Sequence, residues 1–68
     1  MFMNEYREGK VVELNASTGY GMIIDQNGQD IYFLLSEVSN LISVDSLVSF
    51  DIIKVDQGLM AINISLML

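Results

Sequence analysis

The stretch GYGMIIDQNGQDIYFLL, Gly19–Leu35, decides the fold. It holds two short runs rich in β-branched and aromatic residues, separated by a cluster of turn formers. In the second run Ile31 and Phe33 alternate with Tyr32 and Leu34, the period of a strand with one buried face. Asn27-Gly28 between the runs predicts a two-residue hairpin turn, since both residue types tolerate positive φ. The reading is a strand from Gly19 to Asp25, a tight turn, and a strand from Asp30 to Leu35.

Working outward, GKVVELN (Gly9–Asn15) predicts a preceding strand, joined through a short turn at Ala16–Thr18. Downstream, LVSFDIIK (Leu47–Lys54) and LMAINISL (Leu59–Leu66) predict two more strands, with VDQG (Val55–Gly58) as a second hairpin. Ser36–Ser46 is less regular and predicts a short helical turn and a crossing loop, with Ser36 as its cap and Glu37 near its positive end. The apolar end Leu66–Leu68 is left open between strand extension, packing and fraying. Five strands with a long third connection predict an all-β, five-stranded antiparallel Greek-key barrel of the OB type, as one domain over residues 1–68. Alternation places Val11, Ile23, Ile31, Phe33, Val48, Phe50, Ile62 and Ile64 in its interior.

Composition narrows the chemistry. A chain of 68 residues buries only about 60% of its unfolded surface, so its stability is small. It has no Cys and no His, which removes the usual zinc ligands and any disulfide staple. The 51% hydrophobic content must hold the fold, alone or through self-association. No run approaches the roughly 20 apolar residues of a membrane span. No basic-then-apolar leader opens the chain, and the lack of Cys fits a reducing cytoplasm. Nine acidic residues against three basic ones give a net charge of −6. Strong nucleic-acid binders rest on Lys and Arg clusters that displace condensed counterions, so this balance excludes tight, phosphate-driven binding. Catalysis has no support either, without His or Cys and without a glycine-rich phosphate loop. No cofactor or metal is expected.

Taken together, GKVVELNASTGYGMIIDQNGQDIYFLLSEV and DSLVSFDIIKVDQGLMAINI resemble the bacterial cold-shock domain, from about Gly9 to Ile64. That family reads G-T-V-K-W-F-N-x-x-K-G-F-G-F-I, then a hairpin, then D-V-F-V-H-F-S-x-I, and closes with A-x-N-[IV]. The resemblance implies an OB-type barrel whose second and third strands stack single-stranded RNA or DNA bases on exposed aromatics. Gly19, Tyr20, Gly21 and Ile23 match the first motif, with Tyr20 at its first Phe; Tyr32 takes the Phe of the second, flanked by Asp30 and Ser36. The rest of the face departs from the pattern. Thr18 and Val12 replace lysines, Glu13 the Trp, Leu14 and Met22 aromatics, Leu34 the His and Leu35 the last Phe.

The resemblance therefore implies a divergent member that binds single strands weakly, by stacking on Tyr20 and Tyr32. Met22 and Leu34 would add aliphatic contacts, and Lys10 and Arg7 would stand at the rim. The alternative is a protein-interaction or homodimerisation module. Its docking patch would be built from Val12, Leu14, Met22, Leu34 and Leu35, although Leu35 directly follows Leu34 and has the parity of an inward residue. Glu13, Asp25, Asp30 and Asp51 are open to two readings, a surface that mimics nucleic acid or meets a basic partner and, preferred, ordinary solvated acids.

Overall fold

The computed structural model describes residues 7–38 and 41–67. Five strands form one closed barrel: β1 (Arg7–Asn15), β2 (Tyr20–Asp25), β3 (Asp30–Leu34), β4 (Leu47–Val55) and β5 (Gly58–Leu66). Their order around the barrel is β1-β2-β3-β5-β4, with β4 returning to β1, an OB-fold-like arrangement. The pairing is mixed rather than wholly antiparallel. β3 meets β5 in parallel, at Tyr32 and Met60, because the connection after β3 carries the chain across before β4 and β5 form their hairpin.

The core holds Val11, Ile23, Ile31, Phe33, Ile42, Val48, Phe50 and Ala61. Six of these follow from simple alternation. The expectation fails on β5, where Ala61 is buried while Ile62 and Ile64 are half-buried. A bulge explains the difference. Ser49 pairs with Ser65 and Asp51 with Ile62, so Asn63 and Ile64 together oppose Phe50. Asn63 takes φ 54°, a left-handed conformation Asn adopts more readily than most residues, and its amide donates to Asp51 Oδ2 at 2.9 Å. The extra residue shifts the parity, so Ala61 and Ile64, three apart, both pack on the core. A second bulge at Val12 on β1 does the same for Val11 and Leu14. Val12 is exposed and Leu14 packs inward, so they do not share one outer patch; Leu35 also packs against the core.

The hairpin after β2 is longer than two residues. Gly28 has φ 81° and Asn27 is not in the positive-φ region. Gly28 N–H donates to Asp25 O at 2.9 Å and Asp25 N–H to Gln29 O at 3.0 Å, the pattern of a type I turn closed by a left-handed glycine. The β4–β5 hairpin turns on Asp56 and Gln57, with Val55 opposite Gly58. The short helical element is a 3₁₀ turn at Leu35–Glu37 that starts from Leu34 with no side-chain cap, so Ser36 does not serve as one. Past it, Ile42 enters the core, and the loop bonds to β1 through Val11 N–H to Ser46 O at 2.9 Å and Asp45 N–H to Val11 O at 2.7 Å. At the chain's end Leu66 continues β5 and Met67 N–H donates to Leu47 O, while Leu68 lies outside the described residues, as do residues 1–6.

Candidate single-strand binding face

Residues directly paired across antiparallel strands point to the same side of a sheet. Glu13 pairs with Met22, Met22 with Tyr32, and Tyr32 with Met60, which sets one row of side chains across β1, β2, β3 and β5. Asn15, Tyr20 and Leu34 make the adjoining row. Tyr20 and Tyr32 are therefore diagonal neighbours, at a spacing of roughly 7–8 Å. They are 42% and 50% exposed, so both rings offer area to a partner. Met22 and Leu34 are half-buried between them.

A turn built by side chains fixes the approach of Tyr20. Asn15 Oδ1 accepts from Ser17 N–H at 3.0 Å and Thr18 N–H at 3.3 Å, and Thr18 Oγ1 accepts from Tyr20 N–H at 3.3 Å. Gly19 closes the turn at φ 81° while its N–H donates to Asn15 O at 2.9 Å. Next to it, Gly21 is the one position where Phe33 leaves no room for a side chain: a Cβ there would overlap the ring. This is the physical reason for the Gly-Tyr-Gly sequence. The first glycine turns the chain and the second makes space for the core, so the tyrosine between them is held outward.

The two tyrosines line an open groove of about 440 Å³, within the usual range for small-ligand sites. The end of the β4–β5 hairpin forms a further wall, with Val55, Leu59 and Met60 supplying aliphatic area and Gln57 a polar group. Sequence reasoning missed this wall, because nothing in the sequence fixes how that hairpin sits against β3. Asn15 and Thr18 also line the groove, and Glu13 is the only charged residue among the lining groups.

Lys10 and Arg7 sit elsewhere. Lys10 pairs with Ile24 and Leu47 and lines a second groove of about 390 Å³ with Glu8 and Met67. Ile24 is four residues along β2 from Tyr20, roughly 13 Å at strand spacing. Arg7 is bound to Asp25, with Nη1 at 3.0 Å from Oδ2. Lys54 is exposed opposite Leu59, a lining residue, and is the cation most closely tied to the groove by register. The structure thus brings together Tyr20, Tyr32, Met22 and Leu34, and places Lys10 and Arg7 apart from them.

Asp25 is not a solvated acid. Its side chain is fully buried, and Oδ1 accepts from Asn27 N–H at 2.8 Å and Gln29 N–H at 2.9 Å while Oδ2 takes Arg7. Burial pushes its pKa up, but the bonds from Gln29, Asn27 and Arg7 outweigh that and hold it below the ordinary 3.8. Among the described residues no buried side-chain polar atom lacks a partner.

No protein-family model matches the chain, and no curated protein matches it.

Proposed function

We propose that the Tyr20–Tyr32 groove binds a short segment of single-stranded RNA or DNA by stacking, with little help from phosphate contacts. The observation that carries this reading is the pair of exposed tyrosines on one sheet face, in an open groove on an OB-fold-like barrel. The sequence resemblance to the cold-shock domain points the same way. Stacking contributes about 1–3 kcal/mol per base and tolerates any base, because every base has a π-face. With Glu13 in the groove and Lys10 and Arg7 away from it, affinity is low.

The test is an amide NMR titration with a short oligo-pyrimidine strand at low salt. Shifts centre on Tyr20, Met22, Tyr32 and Leu34. The double variant Tyr20→Ala/Tyr32→Ala takes binding below detection, since two stacks at about 1–3 kcal/mol each are lost. Both rings are exposed, so the fold survives. Unchanged binding in that variant sinks the mechanism.

A second reading makes the same groove a docking surface for a protein segment or a second copy of the chain. The specific observation in its favour is the lining itself, with a carboxylate and three aliphatic side chains and no cation. Glu13→Lys separates the two readings. If the ligand is a nucleic acid, affinity rises and the salt dependence of log K steepens by about 0.7, one phosphate contact on a single strand. An affinity for the oligonucleotide that stays flat or falls favours the protein partner.

A further inference from the structure

We propose that Asn27 is a deamidation site, and that the Asp25–Arg7 ion pair sets its rate. Asn27 is exposed, its side chain has no hydrogen bond among the described residues, and a Cβ added at Gly28 would meet nothing within 4 Å. Asn15 and Asn63 differ on both counts. The side chain of Asn15 accepts from Ser17 and Thr18, and that of Asn63 donates to Asp51. Each is also followed by a residue with a side chain, Ala16 or Ile64.

The chemistry needs only water. The Gly28 backbone nitrogen gives up its proton to solvent base and attacks Cγ of Asn27. The bond from Cγ to the side-chain nitrogen breaks and ammonia leaves, forming a five-membered succinimide. Water then opens either carbonyl, giving an aspartate or an isoaspartate. The sum is amide plus water to acid plus ammonia, with no redox change.

The folded hairpin opposes the first step. The attacking nitrogen is engaged, because Gly28 N–H donates to Asp25 O at 2.9 Å. Asp25 Oδ1 holds the amides on either side, Asn27 at 2.8 Å and Gln29 at 2.9 Å. All three bonds converge on one residue, and Arg7 anchors that residue to β1. While the ion pair stands, the turn cannot bring the Gly28 nitrogen onto Cγ. The turn is also tied down by Asp25 N–H to Gln29 O, Gln26 N–H to Glu8 O and Glu8 N–H to Gln26 Oε1, so only when the ion pair and these bonds open together does Asn27 become an Asn-Gly pair in free chain. The product cannot restore the old turn easily: a new carboxylate stands two residues along the chain from that of Asp25, and the isoaspartate lengthens the backbone by an atom.

The experiment follows amide loss at each Asn by peptide mapping, with isoaspartate detection, in warm and mildly alkaline buffer. The intact protein is compared in native buffer and along a urea series. In native buffer Asn27 converts on the order of tenfold or more slowly than in the unfolded chain, and its rate tracks the open population as urea rises. Arg7→Ala, if folded, converts faster than the wild type in native buffer. An Asn27 rate equal in folded and unfolded protein overturns the gating. So does a folded Arg7→Ala with an unchanged rate. An unfolded chain in which Asn27 converts no faster than Asn15 and Asn63 overturns the site. Should Arg7→Ala fail to fold, Arg7→Gln, which removes the charge but keeps most of the side chain, is read in its place, and an unchanged rate in it overturns the role of the ion pair.

Discussion

Gly21→Ala is expected to remove a large part of the barrel's stability. Gly21 lies on β2 directly opposite Phe33, whose ring occupies the space a Cβ would take. The ring cannot swing aside, because Phe33 is 0% exposed and packed within the core cluster. Overpacking a well-filled core costs about 1–3 kcal/mol and sometimes more, and this overlap is with a rigid aromatic rather than a flexible chain end. A domain of 68 residues has on the order of 3–10 kcal/mol in total. Urea unfolding followed by circular dichroism gives the loss directly. The companion variant Gly21→Ala/Phe33→Leu is expected to be more stable than the sum of the two single losses, since each change accommodates the other. Strict additivity, or a Gly21→Ala protein as stable as wild type, would show that the ring does not fill that space.

In the sequence that glycine stands inside a predicted strand, with nothing to mark it as the seat of a particular ring. The strand count, the approximate strand limits and six core residues were all readable, because alternation is a local property and one buried face enforces it. What escaped were the places where a partner strand alters the count. Nothing local distinguishes Val12 from Val11, or Ala61 from Ile62, as the residue that turns outward. The extra residue on β1 and on β5 is fixed by where β2 and β4 lie opposite. The same applies to the candidate site. Tyr20 and Tyr32 were named from the motifs of the cold-shock resemblance, and they lie on the two strands of one hairpin. Val55, Leu59 and Met60 were not, because they reach the groove through the barrel's parallel closure, a contact between segments far apart in sequence. Charges were the hardest to place. A lone Asp before a turn reads as a solvated acid, and only the fold shows that Arg7, 18 residues earlier, reaches it.

Asp25→Ala is the second large effect. Its loss leaves the Asn27 and Gln29 amides and the Arg7 guanidinium without their acceptor. Stranding such donors costs about 2–3 kcal/mol, limited because Arg7 is partly exposed and recovers water. The pH dependence gives a sharper result. The folded carboxyl is held below its ordinary 3.8, so the folded state favours the ionised form more than the unfolded state does. The stabilisation is fully present above the unfolded value and drains away as pH falls from there through the lower, folded value. Asp25→Asn keeps the size and an acceptor oxygen but cannot ionise, so it lacks this contribution at every pH. The stability gap between wild type and Asp25→Asn, measured by urea midpoints, is expected to be constant near neutrality and to narrow once the pH drops below about 4. A gap that persists undiminished into strong acid would mean that the charge on Asp25 contributes nothing and that its oxygens act by shape alone. A gap that widens would require a carboxyl held above its ordinary value, which three donated hydrogen bonds to the anion do not allow.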